Sequence, residues 1–221
     1  MQKFASLFRW ALDRQTWRAW HAARLGRQFD HEHGTDTQSQ ITVPELGITG
    51  EASSHAVHYE ASTLPKLRRA LKHLGVDKRK YDFIDIGSGK GLVVIEAAKH
   101  AFNVVIGLEI STLVHQIAEL NVRAASAHKV LPSPIELRNM NALDYGFPAV
   151  RQVVYLYNPF DALMLRKLLF RLAQCLDEGA EEILIVYVNP VCKAIVEAEF
   201  AVDIIYAHRT MVIYRLNPSP T

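Results

Sequence analysis

From residue 83 onward the chain alternates short apolar runs with helical stretches, and this rhythm restricts the fold more than any other feature. Strand-like runs occupy 83–86, 104–108, 135–138, 153–157 and 183–188, mostly Val, Ile, Leu and Tyr without polar alternation. Strands that read this way are buried on both faces. Between them, 92–100, 112–128, 162–176 and a short 191–198 have helical character. Alternating strand and helix calls for parallel strands with right-handed crossovers, so the expected fold is an open, doubly wound, mostly parallel α/β sheet of Rossmann-like type. The rhythm breaks at 202–206 and 211–216, two runs joined by a few residues. They predict an antiparallel hairpin closing the sheet edge and bring the strands to seven.

At 221 residues the chain has room for one domain with an appendage, and its 49% apolar content places it among globular proteins. Its longest uncharged stretch, 183–192, is too short for the roughly 20 residues of a bilayer-spanning helix. Cys175 and Cys192 both lie in apolar contexts. They read as buried, reduced thiols of a cytoplasmic protein. His31, His33, His55 and His58 have no completing Cys or acid cluster, so no metal site is expected.

The N-terminal part divides into a helix at 3–27, bearing Trp10, Trp17 and Trp20, and a polar, turn-rich stretch at 28–62. Arginines at 9, 14 and 18 interrupt any apolar core of a signal peptide. The aromatic face of this helix is expected to lie on the domain's own core. We take 1–62 as a basic helix and covering loop, and 63–221 as the ligand-binding domain. A helix at 64–74 opens that domain, with Thr63 as its N-cap, Pro65 in its first turn and Gly75 at its end.

Net charge is +2, but residues 1–29 carry +5 and residues 66–80 carry +6, which leaves −9 for the rest. Such basic segments suit acceptor recognition, RNA or an anionic membrane surface.

The most informative segment is Phe83-Ile84-Asp85-Ile86-Gly87-Ser88-Gly89-Lys90-Gly91, a strand followed by a glycine-rich turn that opens a helix. In an α/β sheet this turn faces the ligand crevice. Gly87 and Gly89 permit a tight turn and close approach of a ligand, and Gly91 lets the next helix pack on the strand. A dinucleotide fingerprint needs glycine where Leu92 stands, and Lys90 has the wrong spacing for a P-loop. A second acid, Glu109, ends the next strand. A carboxylate there can accept from both hydroxyls of a ribose.

Asp85-Ile86-Gly87-Ser88-Gly89-Lys90-Gly91 together with Val105-Ile106-Gly107-Leu108-Glu109-Ile110 resembles the class I, seven-strand methyltransferases that use S-adenosylmethionine. The resemblance implies that Gly87, Ser88, Gly89 and Gly91 form the loop along the methionine part and that Asp85 accepts from its ammonium group. By the same resemblance Glu109 holds the ribose and Ile110 lies against adenine. Asn141-Ala142 stand where the family usually has an acid and a small residue. By analogy with lysine methyltransferases of this fold, Tyr59 and Thr63 reach the cofactor from a covering segment. Residues 29–216 are also similar to a group of small bacterial class I methyltransferases with an upstream Asp-x-x-x-Gly-x-Asp-Thr pattern, here Asp30, Gly34, Asp36 and Thr37.

Tyr157-Asn158-Pro159-Phe160 follows the fourth strand. In methyltransferases that act on amines, the corresponding position often carries an Asp, Asn or Ser, two prolines and an aromatic; the second proline is missing here. The Asn158 amide oxygen and the carbonyl beside Pro159 can accept two N–H bonds from an amine, and the ring of Phe160 or Tyr157 can stabilise positive charge on its nitrogen. The expected activity is therefore methyl transfer from S-adenosylmethionine to an amine, a protein lysine or other amino group. The rival readings are a small-molecule N- or O-methyltransferase, a non-catalytic cofactor-binding module docking RNA or membrane, and a nicotinamide reductase.

Overall fold

The computed structural model describes residues 2–39, 63–157 and 161–218. Its centre is a seven-stranded sheet: β1 (Asp82–Ile86), β2 (Val104–Glu109), β3 (Ile135–Asn139), β4 (Gln152–Tyr157), β5 (Ile183–Val188), β6 (Val202–His208) and β7 (Met211–Leu216), in the order β3-β2-β1-β4-β5-β7-β6. The first five strands are parallel, and β7 runs antiparallel between β5 and the edge strand β6. This is the open Rossmann-like sheet with a terminal hairpin that the alternation of elements predicts. Strand order reverses between β1 and β4, the switch point outside which α/β sheets bind their ligands.

Helices α1 (Gln2–His33), α2 (Leu64–His73), α3 (Leu92–Ala98), α4 (Thr112–His128), α5 (Ala162–Asp177) and α6 (Lys193–Glu199) complete the described architecture. Adjacent strand residues feed opposite faces. Ile84, Ile106, Val154 and Ile185 pack with Leu165, Leu168 and Leu172 of α5. Phe83, Val105, Val153 and Leu184 pack with Leu67 and Leu71 of α2 and Val94 of α3. The central strands show no polar alternation because neither face meets water.

Some local expectations need correction or refinement. Helix α1 runs beyond residue 27 to His33, where Gly34, at φ +64°, ends it in the left-handed conformation. It meets the domain through Phe29, which packs with Leu64, Leu92, Ile95 and Ala125. Trp17 and Trp20 are 61% and 53% exposed, so these aromatics do not cover the core. Thr63 holds the N-cap position of α2 without a side-chain cap bond, and Pro65 occupies the first turn, where a missing N–H costs nothing. Cys175 is buried, but Cys192, just before α6, is only half-buried.

The stretch after α1 is folded around two side chains. Asp30 accepts from Thr35 Oγ1, Thr37 N, Thr37 Oγ1 and Gln38 N at 2.7–3.1 Å. The buried Asn121 of α4 accepts from Asp36 N at 2.8 Å and donates to Asp36 O at 3.1 Å and to Lys90 O at 2.9 Å. One carboxamide thus joins the N-terminal strap to the glycine loop. Replacing it leaves buried groups unpaired, each costing about 1–3 kcal/mol. Asn121→Ala is expected to lower stability by about 2–4 kcal/mol and to speed proteolysis within 30–39, both readable by urea denaturation and limited digestion.

Candidate functional site

The glycine loop leaves β1 at Ile86 and turns back onto β2. The N–H groups of Gly87 and Ser88 both donate to Leu108 O, at 2.9 and 3.0 Å. Gly87, Gly89 and Gly91 have φ of +72°, +55° and +88°, a region in which a Cβ is strained. This corrects the reason given for Gly91: a Cβ there would meet Ala118 at an ordinary 3.5 Å, so its backbone angle, and not close packing, requires glycine. Close packing instead governs Gly107 in β2, where a Cβ would lie 2.9 Å from Ser88 Oγ, Leu137 and Val94. The Ser88 hydroxyl is accordingly turned down onto β2 and is buried.

Glu109 is the anchor of this turn. Its Oε2 accepts from Gly89 N at 3.0 Å, its Oε1 accepts from Ser111 N at 2.8 Å, and Ile110 N adds a further backbone bond. Burial raises its pKa, and these backbone donors oppose that rise. Asp85 lies opposite Gly107 in β2 and Tyr155 in β4. Its carboxyl is fully buried, and its Oδ2 has no hydrogen-bond partner among the described residues. Burial, with the Glu109 charge as a second cause, holds the Asp85 pKa well above the usual carboxylate range.

Other expected positions take distinct environments. Ile110, just past β2, is 39% exposed beside the acid. The Asn141 carboxamide oxygen accepts from Leu143 N at 3.0 Å and caps the short turn Ala142–Asp144, and Ala142 is buried against α5. Thr63 precedes α2 with its carbonyl accepting from Lys66 N and Leu67 N. Tyr157 ends β4, and Asn158, Pro159, Phe160 and Tyr59 lie outside the described residues.

Two lysines matter that the motifs did not single out. Lys90 Nζ, inside the glycine loop and nearly inaccessible, donates to Ser39 O at 2.8 Å and to Ser39 Oγ, and pairs with Asp36 Oδ2 at 3.4 Å. Lys66 Nζ donates to Tyr157 Oη at 2.7 Å and lies 4.7 Å from that ring's centroid. The Lys66 ammonium thus lies at the hydroxyl end of the Tyr157 ring. A charged residue amid the loop glycines was the one available signal for Lys90; Lys66 was hidden in a basic run. Among the described residues no group of His, Cys, Asp and Glu is arranged to hold a metal, and no helix is long and apolar enough to cross a membrane.

The sequence matches no protein-family model and no curated protein. Its fold is that of several solved structures. A putative methyltransferase from Escherichia coli is 20% identical, with a TM-score of 0.55 over 74% of this chain and 92% of that one. An RNA methyltransferase from Salinibacter ruber, solved with S-adenosyl-L-homocysteine, is 20% identical, with a TM-score of 0.50 over 72% and 95%. A predicted N6-adenine-specific DNA methylase from Listeria monocytogenes is 14% identical, with a TM-score of 0.52 over 83% of this chain; only 54% of its own length is covered.

A carboxyl whose pKa is raised on folding binds its proton more tightly in the folded state, so it weakens folding increasingly as pH climbs above the unfolded value of about 4. Asp85→Asn removes that charge. Without added ligand, its melting temperature is expected to exceed the parent's by a few degrees at pH 7 and to converge with it near pH 4. Equal melting temperatures at pH 7 would mean that Asp85 is compensated in the fold and not held in reserve for a cation.

Proposed function

We propose that this protein is an S-adenosylmethionine-dependent methyltransferase acting on an amine, with residues 63–221 as the cofactor-binding unit and 1–62 covering it. The observation that carries the reading is a buried carboxyl oxygen, Asp85 Oδ2, without a partner among the described residues, at the end of the strand that leads into a glycine turn held by a second strand-end acid. An unpaired buried carboxylate is costly unless a cation meets it, and the ammonium group of an amino acid is such a cation. The bound cofactor would supply an electrophilic methyl group on a sulfonium. The residues present fit the rest of it. Gly87, Ser88, Gly89 and Gly91 offer backbone along the methionine portion, and Ile110 offers an apolar surface for adenine. Asn141, its oxygen spent on Leu143 N, keeps its NH₂ as a donor to a ring nitrogen. Tyr59 and Thr63 are assigned to the covering side by analogy alone.

Glu109 is assigned to the ribose. An ionised carboxylate has about four lone-pair positions, and backbone N–H groups of Gly89, Ser111 and Ile110 occupy three of them. Holding both hydroxyls thus calls for release of one backbone donor, and Gly89 N is the one on the loop. Glu109→Ala is expected to weaken cofactor binding at least about tenfold, since bonds to a charged group contribute about 1.5–3 kcal/mol each. Unchanged affinity by calorimetry, in a variant that still folds, would remove Glu109 from the site.

The chain leaves the C-terminal end of β4, beside β1, directly into Asn158-Pro159-Phe160. Asn158 is assigned to orient the acceptor nitrogen, with Pro159 presenting the preceding carbonyl and Phe160 the ring that faces developing charge. Tyr157, whose hydroxyl accepts from Lys66, is the alternative ring for that charge. Methyl transfer from a sulfonium demands alignment more than proton transfer, which suits a site with few titratable groups. Asn158→Ala is expected to leave cofactor affinity nearly unchanged while turnover collapses, and Asn158→Asp to retain partial activity, because an interaction made in the transition state lowers the rate without lowering ground-state binding. The two are separated by calorimetry and by S-adenosylhomocysteine formation in fractionated extract. Near-normal turnover of Asn158→Ala would revive the oxygen-acceptor and non-catalytic readings. The basic segments are assigned to acceptor or surface recognition.

A further inference from the structure

Two clefts meet at His208, on the side of the sheet away from β3. One, of about 590 Å³, lies between α2 and β6 and is lined by Arg68, Arg69, Lys72, His73, Tyr206 and His208. The other, of about 450 Å³, runs from His208 and Arg209 to Lys193 and the Asn189-Pro190 turn. Among the described residues no acidic residue lines either. Glu96 neutralises Arg68 at 2.6 Å, and Glu197 approaches Lys193 at 3.4 Å. Among the described residues Arg69, Lys72 and Arg209 have no carboxylate partner and are exposed.

The register fixes where these clefts lead. His208 pairs with Met211, Met211 with Val188, and Val188 with Tyr157. The hairpin turn and the end of β5 therefore lie at the same end of the sheet as the end of β4 and the glycine loop. A ligand lying along both clefts runs from the outer face of α2 toward the end of β4.

We propose that these joined clefts dock a single-stranded nucleic acid. Cations without carboxylate partners suit phosphates, and each phosphate neutralised releases counterions. Within the first cleft the rings of His73 and Tyr206 stack on each other at 3.9 Å, with planes 29° apart, and Arg69 and Lys72 line the same cleft. Flat rings set among cations are the arrangement on which unpaired bases stack with little regard to sequence. A membrane surface is a poorer match, because interfacial binding needs apolar side chains to insert. Of the lining residues only Val191 is a large exposed hydrophobe. An acidic protein would use the cations but not the stacked rings. The docking is independent of the methyl-transfer reading, and it is measured without cofactor.

The test is fluorescence anisotropy of the full chain with a labelled, unstructured RNA of about 12 nucleotides, within the site sizes of single-strand binders, titrated at several salt concentrations. The same strand as DNA, a duplex of equal length and vesicles with anionic lipid are run beside it. The parent is expected to bind both single strands, more weakly as salt rises. The combined variant Arg69→Ala, Lys72→Ala, Arg209→Ala should bind at least about tenfold more weakly, and its log–log salt slope should shrink by roughly two, as expected for three lost contacts to a single strand. A control variant with Arg123, Lys129 and Lys167 changed to alanine, none of which lines either cleft, should bind as the parent does, and melting curves check that both variants fold. No binding of either single strand at low salt, equal loss in the control, or duplex or vesicles bound as tightly as the single strands would each overturn the proposal.

Discussion

The hydrogen bonds from the glycine loop to β2 are the constraint on which the rest of the site depends. Gly87 N and Ser88 N reach Leu108 O, and Gly89 N reaches the Glu109 carboxylate. Three consecutive donors are thereby spent on the end of one neighbouring strand, and a chain so tied must pass through positive φ at Gly87 and Gly89. Gly107 is part of the same arrangement, since only a residue without Cβ leaves room for Ser88 Oγ to sit down on β2. Asp85 is then left beneath a turn whose own donors are already engaged elsewhere. Its unpartnered oxygen follows from the geometry of the turn.

A second layer holds the loop from outside. Lys90 directs its ammonium to Ser39 and Asp36, and Asn121 ties Lys90 O to both polar groups of the Asp36 backbone. Asp30 shapes the strap before it arrives, accepting from four donors within 35–38. A buried lysine is tolerable only when its charge is met, and the strap meets it. The N-terminal segment is in this sense part of the loop's solvation, although over fifty residues separate Lys90 from Asp36 in sequence.

The two acids of the site differ in the same way. Glu109 is buried but supplied with backbone donors, which offset desolvation. Asp85 has burial and a neighbouring like charge, and nothing among the described residues opposes either. Stability given up at one residue while its neighbour is satisfied is the pattern expected where a fold is prepared for a ligand.

Much of this was legible from residue order alone. The strands at 183–188 and 211–216 and the helix at 112–128 agree with the structure to the residue, because runs buried on both faces and helical periodicity are local properties of the chain. The glycine turn and its two strand-end acids were placed for the same reason, since strand ends and turns are read from neighbours in sequence. Tertiary structure alone decided which charges are paired. Within one basic run, Lys66 went to Tyr157, Arg68 to Glu96 and Arg69 to the cleft at His208, and nothing in their spacing separates these outcomes. It also decided that Trp17 and Trp20 face solvent while Phe29 is buried. Hydrophobic pattern states that a face is apolar, but a helix buries that face only where another surface lies against it, and where such a surface lies is set by parts of the chain far away in sequence.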